Sequence, residues 1–212
     1  MAKHTWVDLN IAEAERLADL TGVLYDFDSA YKMALELKAA SVKSLTPNGL
    51  LVEAYTIAIV IRYCRPFVTG VRARLEEQDL SILSPELRCV HNRLRAIRDK
   101  HIAHSVNAFE ENQPSAEYCV ERFRDEGITS IGCSHSWRYG MPIAELDDVI
   151  ALTAQIAVYV EALIAKEKER LLAIVRAMAL ETVLAGGRNT FLIDPEASVI
   201  KSRKRAHEGV TK

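Results

Sequence analysis

Glycine and proline are scarce in this chain of 212 residues, with only 9 and 6 copies. Together they fall well below the roughly 12% of average usage. An all-β domain needs many turns, and these two residues supply most of them, so the shortage argues against that class. Alanine and leucine, with 27 and 22 copies, are strong helix formers. The composition therefore predicts an all-α protein.

Cysteine is also sparse, with four copies at positions 64, 89, 119 and 133 and no Cys-x-x-Cys pair. Widely spaced thiols in a chain of this kind do not form a disulfide framework or a zinc site. We expect all four to be reduced and to serve as small buried hydrophobic residues.

No charge of one sign dominates, because 27 Lys and Arg oppose 29 Asp and Glu for a net charge of −2. This balance excludes a globally basic nucleic-acid binder. The charge is nevertheless uneven: residues 62–100 hold nine basic and five acidic side chains, whereas residues 106–148 hold three basic and nine acidic ones. A local basic face is therefore predicted on the first of these segments.

Long hydrophobic runs are missing as well, since no stretch of 18 uncharged apolar residues occurs and residues 1–10 lack the apolar core of a signal peptide. The most apolar run, 50–64, contains Glu53 and Arg62 and is shorter than a membrane span. It predicts a buried helix. We expect a cytoplasmic protein without a membrane partner.

Hydrophobic periodicity predicts an antiparallel helical bundle of about five helices, with a loop or small β-hairpin insertion near 110–139. The domain is expected to span 1–187, followed by a basic tail at 188–212. The predicted helices cover 8–43, 50–65, 84–103 and 142–185, with a short element near 68–77. The first range holds two helices, or one that is kinked near 25–29, and the last helix either breaks near 166–170 or projects into a partner. Ser84 is the predicted N-cap of helix 84–103, with Pro85 in its first turn. Within the insertion, 118–123 and 128–137 are compatible with strands.

Most motifs that carry chemistry are absent: the chain has no glycine-rich phosphate loop, no dinucleotide fingerprint and no HExxH. Cys133 with His135, and His101 with His104, are pairs of possible ligands, but no further ligand completes either site. We expect no cofactor and no metal.

One block, Arg95-Ala-Ile-Arg-Asp-Lys-His-Ile-Ala-His-Ser105, resembles the Arg-x4–6-His signature of HEPN domains. Two pairs in it fit the spacing, Arg98 with His104 and Arg95 with His101. The stretch Tyr63-Cys-Arg-Pro-Phe67 is similar to what the abortive-infection-like branch of that family carries. The resemblance implies a small helical domain that cleaves RNA without a metal, commonly as a dimer that brings two motifs together.

The roles that the resemblance implies agree with the chemistry of these residue types. His104 would be the general acid/base and Arg98 the phosphate clamp, since an imidazole moves protons near pH 7 and a guanidinium binds phosphate bidentately. Asp99 would orient Arg98, His101 would be secondary, and Arg95 and Lys100 would bind RNA. On a regular helix, however, residues six apart are separated by about 240° of rotation. The site therefore requires a helix end, the long Arg side chain or a second subunit.

Two hypotheses follow. In the first, the chain is a homodimeric, metal-independent endoribonuclease, a toxin or phage-defence effector with a cognate antitoxin or partner protein. In the second, it is a catalytically silent interaction module of a two-component system. Convergence of Arg98 and His104 in a basic cleft would favour the ribonuclease. Ion pairing or separate burial of the two residues would favour the interaction module. Helix 87–103 is expected to offer an apolar edge to a two-fold partner, and Leu171, Val175 and Met178 are expected to lack a covering surface within the monomer.

Overall fold

A computed structural model of the chain describes residues 7–43, 49–68, 74–102, 110–118, 127–137 and 140–185. This part of the chain is mostly helical and carries one two-stranded antiparallel sheet, which confirms the predicted helical fold with a β-hairpin. The α-helices and strands are α1 (Glu15–Lys43), α2 (Gly49–Cys64), α3 (Pro85–Ile97), β1 (Glu110–Tyr118), β2 (Ile128–Trp137), α4 (Ile143–Ala177) and α5 (Leu180–Leu184). Short 3-10 helices cover Ala12–Ala14, Arg65–Phe67 and Glu77–Ile82, and a π-helix covers Arg98–Ile102.

The chain divides into two compact units. The first comprises Met1–Asp28, Arg65–Ile82 and Ala154–Lys212, and the second comprises Ser29–Cys64 and Leu83–Thr153. Helix α3, the π-helix and the hairpin all belong to the second unit, so the predicted site lies within it. The predicted tail at 188–212 lies outside the described residues.

Helix α1 is one continuous helix, and the break expected at 25–29 is not there. The polar residues that suggested a cap have a different task in the first unit. Asp26 is buried and accepts a hydrogen bond from Arg65 Nη1 at 3.1 Å. Phe27 is fully buried and packs against Phe67 with ring centroids 5.8 Å apart. These contacts hold the segment helical, because a break would expose the phenyl ring and unpair the carboxylate.

The core of the second unit forms between α2 and α3. Helix α2 buries Thr56, Ile59, Val60, Tyr63 and Cys64, and α3 buries His91, Leu94 and Ile97. The start of α3 is as predicted, since the Ser84 hydroxyl accepts a hydrogen bond from the Leu87 amide at 3.3 Å and Pro85 occupies the first turn. The helix was expected to continue to about residue 103. The chain is helical as far as Ile102, and its last turn has π rather than α geometry.

The hairpin is a correct prediction. Strand β2 has the predicted bounds, and its partner is Glu110–Tyr118. Of the segment 118–123 predicted from β propensity, Tyr118 belongs to this strand and 119–123 lie outside the described residues. The polar composition of β1 and the central Pro114, which pairs with Cys133, conceal this strand from a propensity scan. Both strands of a two-stranded sheet are edge strands, where a proline is tolerated.

Helix α4 is continuous through 166–170, so of the two alternatives predicted for this segment the break is wrong. Glu167 is 6% exposed and accepts hydrogen bonds from Arg170, whose guanidinium also donates to the carbonyl of Glu13 at 2.7 Å. Leu171 is buried, so the expectation that it lacks a cover is wrong. The charged segment is thus fastened to the first unit, and the helix ends instead at Ala177, two residues before α5.

Helix α4 is, within the described ranges, the one helix long and apolar enough to cross a membrane by length and composition. Of its most apolar 18-residue stretch, 33% is buried inside the protein. A core helix of a soluble protein meets the same criterion.

The cysteines correct another expectation. Cys64 is buried as predicted, but Cys89 and Cys133 are exposed. Cys119 lies outside the described residues. Cys89 is exposed because it lies on the side of α3 opposite the buried apolar face. Cys133 is exposed because both faces of β2 are in contact with solvent.

Candidate functional site

Arg98, the predicted phosphate clamp, is held by its neighbour. Its Nη1 donates to Asp99 Oδ1 at 2.7 Å. Ion pairing of Arg98 is the arrangement expected of an interaction module, and an orienting role of Asp99 stays a prediction. Both side chains reach solvent, Arg98 being 36% exposed and Asp99 49%. An exposed ion pair of this kind contributes only about 0–1 kcal/mol to stability. It restricts the guanidinium without burying it, and a guanidinium carries further N–H donors besides this one.

The motif lies on the one π-helical segment assigned in the described chain, Arg98–Ile102. A π turn forms i to i+5 hydrogen bonds and so holds more residues per turn than an α turn, and such turns are frequent at functional sites. The 240° separation assumed a regular α-helix, and residues 98–102 do not form one. The backbone of His101 belongs to this π turn, but its side chain and the whole of His104 lie outside the described residues. The convergence of Arg98 with His104 stays a prediction.

A row of polar residues runs along α3 toward this π turn. Arg88, His91, Arg95 and Arg98 succeed one another at spacings of three, four and three residues. This spacing places them on one face of the helix. The three arginines are half-buried at the edge of that face, whereas His91 lies beneath them and is only 2% exposed. We call these four residues the arginine row.

The arginine row lies over a buried polar pair from α2 and α3. The Tyr63 hydroxyl and His91 Nδ1 are hydrogen-bonded at 2.7 Å, and the two rings meet edge to face with centroids 5.9 Å apart. Burial, helped by the positive charges of Arg95 and Arg88, lowers the pKa of His91 to about 4. Burial also raises the pKa of Tyr63 above its usual range, although the same arginines oppose it. At neutral pH the pair is thus uncharged, and the guanidiniums above it supply the local charge.

Cys64 is the next residue on α2 and is chemically inert. Its Sγ donates to the carbonyl of Leu94 at 3.6 Å. Burial raises its pKa to about 12, although the charge of Arg98 acts in the opposite direction. A buried thiol with so high a pKa is not a nucleophile. Its role is to pack α2 against α3.

Other basic residues of the region divide into two groups. Lys100 is exposed on the π turn, as its predicted role in RNA binding requires. Arg93 lies on the opposite side of α3, where its guanidinium binds the buried carboxylate of Glu145 at 3.1 Å. Arg93 therefore fastens α4 to α3 within the second unit and does not belong to the arginine row.

His91 and Arg88 were not predicted from the sequence, and Tyr63 was noted there only as part of the stretch 63–67, without a role. The signal for Arg88 was present, since its seven-residue spacing to Arg95 repeats the helical period. His91 was hidden because it interrupts the apolar positions Leu87, Val90 and Leu94, and its burial depends on Tyr63 of another helix. Guanidiniums on both sides of the uncharged Tyr63–His91 pair, such as those of Arg88 and Arg95, can neutralise and orient successive phosphates of a nucleic acid backbone.

Of the two possible metal pairs in the sequence, only Cys133 with His135 can be located, because the side chains of His101 and His104 lie outside the described residues. Searching the described ranges finds no group of three or more His, Cys, Asp or Glu side chains that could hold an ion. His135 Nδ1 is instead hydrogen-bonded to Asn112 Oδ1 across the hairpin at 2.8 Å.

Comparison of the chain with models of known protein families, with curated proteins and with solved structures finds no match.

Proposed function

We propose that the chain is a metal-independent endoribonuclease of HEPN type, an antiparallel helical bundle that acts in the cytoplasm as a toxin or phage-defence effector. The observation that carries the proposal is the arginine row, which ends at Arg98 in the π turn. Three guanidiniums on one helical face provide a line of positive charge, which an RNA backbone requires.

In the proposed reaction, His104 takes the proton of a ribose 2′-hydroxyl, and the 2′-oxygen attacks the adjacent phosphorus. The bond from phosphorus to the 5′-oxygen breaks, and that oxygen takes a proton from an imidazolium, either His104 of the partner copy or His101. Arg98, oriented by Asp99, stabilises the extra negative charge on the phosphorane. Arg95 and Lys100 bind the flanking phosphates. The products are a 2′,3′-cyclic phosphate and a free 5′-hydroxyl.

The test is incubation of the purified full chain with labelled single-stranded RNA in the presence of EDTA. We expect cleavage to persist in the chelator and to fall by about 100-fold or more in His104→Ala, the usual effect of losing a general acid/base. Arg98→Lys keeps the charge but loses the bidentate fork, so it should also be strongly impaired.

Two matched variants serve as controls. His135→Ala removes an exposed histidine of the hairpin, and Arg176→Lys makes the same change as Arg98→Lys on the exposed surface of α4. Both should cleave like the wild type. Activity that disappears in EDTA, or a fully active His104→Ala protein, would contradict the proposal.

One observation favours the alternative, an interaction module without catalysis. In the hairpin, the side chains of 111–118 and 128–135 are all exposed. An isolated two-stranded hairpin is marginally stable in water, so an arm of this kind is typical of a surface that a partner protein covers. A chain with no ribonuclease activity that loses its binding partner when Ile131, 74% exposed, is changed to Lys would establish this function instead.

A further inference from the structure

Strands β1 and β2 form a sheet with two free edges, because in the described part of the chain each strand pairs only with the other. A free edge presents unpaired backbone N–H and C=O groups that a further strand can bind. In an antiparallel pair, residues alternate between those whose backbone groups bond to the opposite strand and those whose groups point outward. The outward residues therefore decide which edge can accept a strand.

Hydrogen bonds across the hairpin identify the outward residues of β1. The carbonyls of Gln113 and Glu117 face β2, because Ser134 Oγ and Thr129 Oγ1 donate to them at 3.4 and 3.3 Å. The odd-numbered residues of β1 thus bond to β2, and the even-numbered residues point outward. Pro114, which has no N–H to give to β2, fits an outward position.

The outer edge of β1 is blocked at its centre. Pro114 offers no N–H to an incoming strand, and its carbonyl already accepts a hydrogen bond from the side-chain amide of Gln113 at 3.0 Å. A proline on an edge strand is one of the means by which natural sheets prevent further pairing. An incoming strand therefore finds no continuous row of partners on β1.

The outer edge of β2 is open. Its outward residues are those that pair with the outward residues of β1, namely Ile131, Cys133 and His135. All three are exposed, and β2 contains neither a proline nor an Asp, Glu, Lys or Arg. Three successive outward residues supply three N–H and three C=O groups that a strand can bind.

The two faces of the hairpin differ in chemistry, and this difference defines the strand that fits. One face carries Ala116 opposite Ile131, which is 74% exposed. The other face carries Glu117 opposite Ser130, whose Oγ donates to the carboxylate at 2.8 Å and so holds it over β2. A strand added beside β2 would lie about 4.8 Å away, so a Lys or Arg side chain on it can reach this carboxylate.

We infer that the outer edge of β2 binds an extended segment of a partner protein, which adds a third strand to the sheet. Successive side chains of that segment point to opposite faces. Its apolar side chains pack beside Ile131, and its Lys or Arg side chains pair with Glu117. The segment is thus one that alternates apolar and basic residues, with main-chain hydrogen bonds for affinity and alternate side chains for specificity.

This docking edge supplies the partner chemistry that the alternative function leaves open, and it rests on the hairpin surface named there. It serves a ribonuclease equally well, because the arginine row belongs to α3 and not to the hairpin. Peptide binding and RNA cleavage are separate measurements, so either can fail without the other.

The probe is a fluorescently labelled peptide of four Val-Lys repeats, titrated with the purified full chain up to about 1 mM. We expect it to bind more tightly than a matched peptide of four Val-Glu repeats. N-methylation of the peptide backbone should abolish binding, because methylated amides cannot donate to the carbonyls of β2. No binding of the Val-Lys peptide, tighter binding of the Val-Glu peptide, or undiminished binding after N-methylation would overturn the inference.

A matched pair of proline variants tests which edge is used. Cys133→Pro places a ring on the outer edge of β2, and Ala116→Pro places one on the edge of β1 that is already blocked; both positions are exposed. Cys133→Pro should weaken peptide binding by about 10-fold or more, since it removes a donor and obstructs the incoming strand. Ala116→Pro should bind like the wild type, with the circular dichroism spectra of both variants unchanged. Equal affinities of the two variants would overturn the choice of β2.

Two further measurements locate the bound segment without a proline. Amide exchange at Ile131 and Cys133 should slow when the Val-Lys peptide is bound, whereas exchange at Ala116 should not change. Glu117→Gln should reduce the affinity for the Val-Lys peptide by about threefold to fivefold, the effect of losing an exposed ion pair, and so narrow the preference over the Val-Glu peptide. Protection of Ala116 in place of Cys133, or an unchanged preference in Glu117→Gln, would contradict the proposed arrangement.

Discussion

His91 shows how a single buried residue couples stability to pH. Its pKa is about 4 in the folded protein and about 6.5 in an unfolded chain. Between these two pH values the unfolded state binds more protons than the folded state. The contribution of His91 to the free energy of unfolding is therefore complete above pH 6.5 and is lost as the pH falls toward 4. The full loss amounts to roughly 3 kcal/mol.

Urea unfolding of the wild type and of His91→Gln at several pH values checks this prediction. Carboxylates titrate in both proteins, so the difference between the two curves isolates His91. That difference should change between pH 6.5 and 4 and stay constant above 7. A difference independent of pH would show that His91 keeps its proton affinity on folding.

Arg170 is a second residue whose effect follows from burial. It pairs with Glu167, whose carboxylate is buried and whose pKa the Arg170 hydrogen bond lowers. Arg170→Ala should reduce the free energy of unfolding by about 1–3 kcal/mol, because a buried acceptor loses its principal donor. Lys168→Ala, an exposed neighbour on α4, should stay within about 0.5 kcal/mol of the wild type. Equal effects of the two variants in urea unfolding would contradict this account.

At the scale of elements, the N-terminus of α3 is the best-defined local signal. The Ser84 hydroxyl accepts from the Leu87 amide, which would otherwise be one of the free amides of the first turn. Ser84→Ala should therefore cost about 1 kcal/mol. Ser81→Ala, in the preceding 3-10 helix, changes an exposed serine and should have little effect. Denaturant midpoints that move equally in both variants would count against a capping role.

The same elements show what local sequence can predict. The cap at Ser84 depends on a contact within three residues, and the extent of α2 and the bounds of β2 follow the apolar and β-propensity patterns of their own segments; all three are as predicted. The continuity of α1 at 25–29 and of α4 at 166–170 depends instead on Arg65, Phe67 and Glu13, which are distant in sequence. The polar clusters at 25–29 and 166–170 resemble helix breaks but are kept helical by these distant partners, which cannot be predicted from the local sequence.

For the whole molecule, the uneven distribution of charge decides how RNA would bind. A net charge of −2 gives no general attraction for a polyanion. Binding must then come from the arginine row, and the described strands of the hairpin, which carry Glu but no Lys or Arg, would repel the backbone.

The salt dependence of RNA affinity measures how many phosphates the arginine row neutralises. The slope of log affinity against log salt concentration should be about −0.7 for each phosphate neutralised on single-stranded RNA. Arg88→Ala and Arg95→Ala should each reduce its magnitude by about 0.7. Arg176→Ala on α4 should leave it unchanged. Equal slopes for all four proteins would remove the arginine row from the interface.

The sequence by itself determined the helical class, the presence of a hairpin and the basic segment, because composition, periodicity and residue order suffice for these. Only the tertiary structure decided that His91 is buried against Tyr63, that Arg93 belongs to Glu145 rather than to the arginine row, and that Leu50 and Ile61 of α2 are exposed within the described part of the chain. Each of these depends on which helices pack together. Burial and charge pairing arise between elements, so a pattern read along one helix cannot assign them.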